Sequence, residues 1–375
     1  MSIEIVPYTA EREPEVRAFN QRLLTQRGPI TFQFPERHRD ASQRSDGRVR
    51  VSGERFLAVD ESAAVRGGYL LKIQDFWIDG REQTIANMGL PLSEGIVDPR
   101  YRFLGVQLAG NAVRRRPLLF CLGMGGMENA LPRMLRGLGW TLFLVPFRFR
   151  LARPGRCLRQ IPRLRSTPVR RLVSDAMART GVGWAVAGLA QGLIARRGPR
   201  AEPCQVESVA HFEGWTDEVW EAARGDYLFS AVRDRAAMEA LYGGPSAPNL
   251  HILKMIRQGR PIGWALVGDS VVEDHRHFGS LRLGSLIDGF ARTSDVAAVV
   301  AGATRFLERR GVDLIISNQC HRAWSAGLDA AGFLSGPSNF ALALSRDLAA
   351  RVGPWETRHA EYHFNRGDGD GPINL

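Results

Sequence analysis

Apolar residues alternate with polar ones in the early part of the chain and recur at helical spacing further on, and the two periods separate strands from helices. Ile3–Val6 predicts a short strand, and Pro14–Leu24 a helix after it. Polar residues crowd Glu36–Arg50, which predicts a loop. Arg55–Val59 and Gly68–Ile73 predict paired strands about an Asp60–Arg66 turn. Phe76–Ile78 and Thr84–Ile85 flank Asp79-Gly80, a dipeptide suited to a tight hairpin. Asn87–Val97 continues extended, interrupted by Gly and Pro. An amphipathic helix to Val113 follows Asp98-Pro99, then a buried strand Leu118–Leu122, a helix Met127–Arg136 and a closing strand Leu142–Phe147.

The second half predicts the same order. Trp215–Ala223 and Ser230–Leu241 have helical spacing, and Leu250–Ile256 with Gly263–Val267 form a hairpin about Gln258-Gly259. A long strand Phe278–Phe290, a helix Ser294–Arg309 and a buried strand Leu314–Ser317 follow. A helix Arg322–Ala331 ends at Gly332-Phe333, and Asn339–Leu344 is the last strand. Hairpin, long strand, helix, buried strand, helix, closing strand recur in both halves, which reads as an internal duplication of fold. The expected division is residues 1–149, a connector 150–207 belonging to neither half, and residues 208–375.

With 375 residues, 44% hydrophobic and 24% charged, the chain has the balance of a folded protein of about two domains. Cys121, Cys157, Cys204 and Cys320 form no CxxC pair, which argues against a disulfide scaffold or a zinc knuckle and for lone buried thiols. The net charge of +11 is concentrated: Arg148–Arg200 holds 13 arginines and one acid, Asp175, for a local +12. Neither half outside that stretch offers a basic face with interleaved aromatics, so nucleic acid is not the expected partner. Met1–Val16 lacks the basic-then-apolar order of an export signal, and the apolar run Gly181–Ala195 is shorter than the ~20 residues a spanning helix needs, so a cytoplasmic location is expected.

The most informative stretch is Asn87–Trp140. Val97-Asp98-Pro99-Arg100-Tyr101-Arg102-Phe103-Leu104-Gly105-Val106-Gln107 lies at a strand-to-helix turn. Free backbone N–H groups and the positive end of a helix can face an anion there, and glycine permits close approach. The segment resembles the turn that holds the coenzyme A pyrophosphate in GNAT-type acyl-CoA N-acyltransferases, Val-x-Pro-x-Tyr-Arg-x-x-Gly-x-Gly/Ala. Val97, Pro99, Tyr101, Arg102 and Gly105 match, and Gln107 replaces the last small residue. Leu138-Gly139-Trp140, Pro132, Ala331-Gly332-Phe333 and the acidic tail Phe364–Asp370 extend the likeness, which is to the two-unit, FemAB-like branch associated with cell-surface polysaccharide.

The resemblance implies two α/β units in tandem, each a mixed twisted sheet flanked by helices. It implies acyl-CoA as acyl donor, held by Val97, Arg102, Phe103, Leu104, Gly105, Val106 and Gln107, and an amine-bearing acceptor such as an amino sugar or a lipid-linked intermediate. The second turn, Arg292–Ala297, carries Asp295 where glycine is expected, and a carboxylate there repels a pyrophosphate.

Amide formation from a thioester needs a donor for the carbonyl oxygen, a base for the amine proton and an acid for the thiolate. The superfamily's acid is often a tyrosine four residues before the helix-ending glycine, where this chain has Leu135 and Leu328. Glu94 is the first candidate base; Asp288 and His321 are the alternatives. The missing tyrosines keep open a non-catalytic acyl-CoA-binding or scaffold role. Glu273–His277 reads as a solvated turn, and His359 and His363 lack the HExxH spacing, so no metal is expected. Residues 150–200, arginine-rich around an apolar run, admit two readings: an interdomain connection, or contact with an anionic membrane as a peripheral protein.

Overall fold

The computed structural model describes residues 2–25, 32–38, 50–244, 249–275 and 277–369, and these form two compact α/β units. Unit 1 gathers Met1–Phe76, Arg81–Leu144 and Ala341–Trp355; unit 2 gathers Trp77–Gly80, Val145–Phe340 and Glu356–Leu375. Most of the expected loop Glu36–Arg50, Arg276 in the Glu273–His277 turn and Asp370 of the tail lie outside the described residues.

The chain opens with β1 (Ile3–Pro7), α1 (Glu13–Thr25), β2 (Val51–Asp60), β3 (Val65–Ile78) and β4 (Arg81–Ser93). It continues with α2 (Leu104–Arg115), β5 (Leu119–Leu122), α3 (Ala130–Gly137) and β6 (Thr141–Leu144). The hairpin between β3 and β4 turns at Asp79 and Gly80, with φ of 47° and 83°, the two positive angles of a primed two-residue turn. One face of α2 buries Leu104, Leu108, Ala109 and Ala112 against Leu119, Cys121 and Leu135, while Val16, Phe19 and Leu23 of α1 pack on Leu57 and Val59.

Unit 2 begins with β7 (Phe147–Leu151), α4 (Pro154–Gln160), α5 (Pro168–Thr180) and α6 (Val182–Ala195). Next come β8 (Gln205–Val209), α7 (Gly214–Ala223), β9 (Phe229–Ala231), α8 (Arg235–Tyr242), β10 (Leu250–Arg257), β11 (Arg260–His275) and β12 (Gly279–Ala291). Then follow α9 (Val296–Arg309), β13 (Leu314–Asn318), α10 (Arg322–Ala330) and β14 (Leu334–Gly336). β15 (Ala341–Leu344) and α11 (Arg346–Val352) return to unit 1, and β16 (Tyr362–His363) lies in unit 2. Trp220, Trp264, Phe290 and Trp324 fill the core of unit 2.

The unit 1 sheet has the order β1-β2-β3-β4-β5-β15-β6, and the unit 2 sheet the order β14-β7-β13-β12-β11-β10-β8. Each of these paths includes one strand expected in the other half, which corrects two expectations. The closing strand Leu142–Phe147 breaks at Val145-Pro146, because proline has no N–H for a ladder. β6 therefore ends at Leu144, and β7 pairs antiparallel with β13 from Phe147↔Asn318 to Leu151↔Leu314. The expected last strand of the second half, β15, inserts between β5 and β6, pairing Ala343 with Cys121 on one side and Leu142 on the other.

The connector also differs from expectation, since residues 150–207 fold as part of unit 2. Arg148 pairs with Asp329 (3.2 Å) and Arg150 with Glu308 (2.9 Å), while Cys157 of α4 is buried with Leu281, Leu283 and Ile316. Ser230–Leu241, expected as one helix, divides: Phe229 and Ser230 pair in parallel with Tyr362 and His363, and Asp234 caps α8 by accepting the Ala237 N–H (2.8 Å).

Ala343 is fully buried between β5 and β6. Ala343→Asp places an unpaired carboxylate there. The expected outcome is loss of hydrogen-exchange protection at Leu119–Leu122 while Leu314–Asn318 stays protected; the reverse pattern refutes this strand assignment.

Candidate active site

β4 and β5 run parallel, but their pairing covers only Ala86↔Leu119 and Asn87↔Phe120. Beyond it β4 passes through Leu90, held at φ 46°, and Pro91, which cannot donate to a neighbour. The strands part here, at the carboxyl ends where α/β sheets take ligands. Asn87 stands at the start of the gap, 2% exposed, with its Oδ1 unpartnered.

β4 leads directly into the turn. Ser93 Oγ accepts the Gly95 N–H (3.0 Å), and Asp98 accepts that of Arg100 (3.0 Å), so two short 3-10 turns, Glu94–Ile96 and Pro99–Tyr101, precede α2. Phe103 occupies the cap position of α2 without any side-chain cap, and the helix has no acid in its first turn. Val106 and Gln107 donate to the Phe103 carbonyl (3.1 and 3.2 Å), while the N–H groups of Phe103, Leu104 and Gly105 have no acceptor among the described residues. Arg102 is exposed, lies 4.7 Å from the centre of the Phe103 ring and has no acidic partner among them. A Cβ at Gly105 would stand 3.2 Å from Met134 Sδ. Ile96, Phe103 and Val106 add exposed apolar surface, and Val97 packs inward beside Leu92. The turn can hold an anion with an apolar extension.

The counterpart in unit 2 is closed. β12 and β13 pair in parallel from Leu283↔Leu314 to Leu286↔Ser317, and β12 then runs on to Ala291. The segment after β16 is tied to both sides of that divergence: Asn365 bridges Gln319 and donates from Nδ2 to Asp288 Oδ1 (2.7 Å). Asp295, expected in the first turn of α9, is instead its cap residue and pairs with Arg257 (2.5 Å). Val296–Val300 are all buried there.

The three carboxylate and imidazole candidates share one property: none faces solvent. Glu94 is 2% exposed and is gripped by Arg22 (3.0 Å) and Arg66 (3.1 Å), and Arg66 also holds Asp60 (2.7 Å). Asp288 is 1% exposed and accepts from Arg233 Nε (3.0 Å), the Tyr242 hydroxyl (3.1 Å) and Asn365. Arg233, itself fully buried, also pairs with Asp368 (2.8 Å). His321 caps α10, its Nδ1 accepting the Ala323 N–H (3.2 Å); burial and then Arg322 push it down to about 4. Asp288 and His321 lie in unit 2 and Glu94 in unit 1. Leu135 and Leu328, at the tyrosine positions, are fully buried. Sequence reasoning missed Arg22, Arg66, Arg233 and Asn87; the arginines reach Glu94 and Asp288 only through contacts distant in sequence, and no local pattern marks the amide. Among the described residues no group of His, Cys, Asp and Glu could hold a metal.

Two α/β units with sheets that part beside a helix start define the GNAT-type N-acyltransferase fold. Among solved structures, the Saccharomyces cerevisiae N-myristoyltransferase with bound myristoyl-CoA is similar over 92% of this chain and 79% of its own, at 9% identity and TM-score 0.54. A GCN5-related N-acetyltransferase from Anabaena variabilis ATCC 29413 is similar over 91% and 72%, at 10% identity and TM-score 0.50. No protein-family model matches the sequence, and no curated protein matches it. At such identities the likeness establishes the fold.

His321 ties pH to stability. Its pKa is about 4 in the folded protein, against an ordinary value of 6.5, so between these pH values the unfolded chain binds a proton that the folded one excludes. That contribution, about 3 kcal/mol, is fully present above pH ~6.5 and is lost as pH falls toward ~4. His321→Asn keeps a capping side chain and removes the titration. Chemical denaturation from pH 7 to 4 is expected to show a shallower loss of stability in the variant than in the parent; equal slopes refute the assignment.

Proposed function

We propose that unit 1 binds acyl-CoA and that the protein transfers the acyl group to an amine. The observation that carries this is the contrast between the two helix starts: at α2 the unpaired donors lie beside exposed Arg102 and Phe103 and no acid intervenes, while at α9 the cap position holds Asp295, whose carboxylate pairs with Arg257, and the first turn is buried. The pyrophosphate would meet the N–H groups of Phe103, Leu104 and Gly105 together with Arg102. The thioester arm would lie along the gap where β4 leaves β5, with freed main-chain donors of β4 near the carbonyl oxygen. In the reaction the amine nitrogen bonds to the thioester carbon, the C–S bond breaks, and the amine proton passes through solvent to the departing thiolate.

Glu94 fits a positioning residue better than a base, because both of its oxygens are engaged by arginines. It fixes the exit of β4 and hence the path of the turn. Asp288 and His321, closed in by burial, fit structural duties in unit 2. The acceptor class proposed is an amino sugar or a lipid-linked intermediate of a surface polysaccharide, handled on the cytoplasmic side. A second reading, binding without turnover, is favoured by one observation: buried leucines at both tyrosine positions.

Calorimetry with acyl-CoA and a turnover assay over a panel of amines separate these readings. Gly105→Asp is expected to abolish acyl-CoA binding, since it adds both a side chain and a negative charge, and Asp295→Gly is expected to create no second site. Unchanged affinity in Gly105→Asp refutes the site. Tight binding with no turnover on any amine favours the second reading.

Glu94→Gln leaves two arginines facing a neutral amide and is expected to cost about 2 kcal/mol of stability and to weaken acyl-CoA binding. A variant with unchanged stability and affinity but ~10²-fold lower turnover would instead mark Glu94 as the base.

A further inference from the structure

α6 carries no charged residue from Val182 to Ala195, and it buries only the strip Gly183, Ala187 and Gln191. Trp184 is 68% exposed and Leu189 66%, with Val182, Val186 and Leu193 near half exposed; α5 adds Leu172 at 74%. A surface helix of a soluble protein ordinarily turns its apolar stripe inward, and contiguous exposed apolar patches mark interaction surfaces. The 14 residues of α6 span ~21 Å, well under the ~30 Å of a hydrocarbon core, and no helix among the described residues is long and apolar enough to cross a membrane.

The arginines of Arg148–Arg200 whose side chains are described fall into two groups. Arg148, Arg150, Arg153 and Arg156 have acidic partners within unit 2. Arg159, Arg179, Arg196, Arg197 and Arg200, on the helices and just beyond them, are exposed and have no acidic partner among the described residues. Beside α6 a groove of about 650 Å³ is lined by Trp184, Gly188, Gly192 and Arg305, and a Cβ at either glycine would meet nothing within 4 Å.

We propose that α5 and α6 dock unit 2 on an anionic lipid bilayer. α6 lies in the plane of the headgroups with Trp184, Val186, Leu189 and Leu193 among the upper acyl chains, and the unpaired arginines meet lipid phosphates. Charge selects this occupant. A second copy would bring the same five cations against each other, and an uncharged apolar partner would leave them unmatched. An anionic surface takes both the apolar face and its basic rim. The proposal rests on this helix pair alone and is independent of acyl transfer.

Cosedimentation of the full chain with vesicles tests it. The parent protein is expected to pellet with phosphatidylglycerol-containing vesicles at low salt, and at least tenfold more weakly with neutral phosphatidylcholine or in high salt. Val186→Asp with Leu189→Asp, and separately Arg196, Arg197 and Arg200 changed to Gln, should each weaken binding about tenfold or more with unchanged circular dichroism. Absence of pelleting by the parent, or equal pelleting by parent and variants, overturns the proposal. So does a parent dimer in analytical ultracentrifugation that Leu189→Asp dissociates with no vesicle binding, which would make the face a self-interface.

Discussion

A strand that leaves its neighbour strips main-chain donors and acceptors of their partners, and those groups must be satisfied some other way. Both units are organised by that requirement. In unit 1, β4 and β5 separate after two paired positions, and the positive φ of Leu90 followed by Pro91 turns the backbone out of any regular ladder. In unit 2 the same parting of β12 from β13 is filled by the segment around Asn365, through main chain and side chain together. In unit 1 the parting stays open, and in unit 2 the chain fills it from its own sequence.

The ion pairs follow the same division. Asp288, Arg233 and Asp368 form a buried set that fastens the closing segment, and Tyr242 joins it, with burial and then Asp288 raising its hydroxyl well above the usual phenol range. Such a set contributes little net stability over an apolar filling but is costly to break, so it acts chiefly to hold one arrangement. The Asp60–Arg66–Glu94–Arg22 chain does the corresponding work in unit 1, where it leaves the helix start free of acid.

Local chemistry was legible in the sequence wherever the physical cause is local. Asp79-Gly80 adopts the positive φ angles that its residue types favour, Gly259 does so beside Gln258, and the stripes of α2 and α9 bury the faces their spacing indicates. The arrangement of two α/β units was readable because the order of elements recurs. Three things were not. The destination of β15 depends on which sheet lacks a strand, which no window of sequence encodes. The meaning of Pro146 emerges only once two sheets compete for residues on either side of it. Glu94 and Asp288 look like free carboxylates until Arg22, Arg66 and Arg233, from 28 to 72 positions away, are placed against them.

The position of β15 bears on how the chain comes to be folded as it is made. Its two neighbours, β5 and β6, are complete once Leu144 has been synthesised, but the strand that must lie between them arrives only with Ala341–Leu344. During that interval two apolar strand edges have no partner, the condition under which nascent chains pair wrongly or associate. The first unit, although begun first, thus waits for Ala341–Leu344 to close its sheet, and a ribosome that stalls before that point releases a chain whose older half still lacks the strand between β5 and β6.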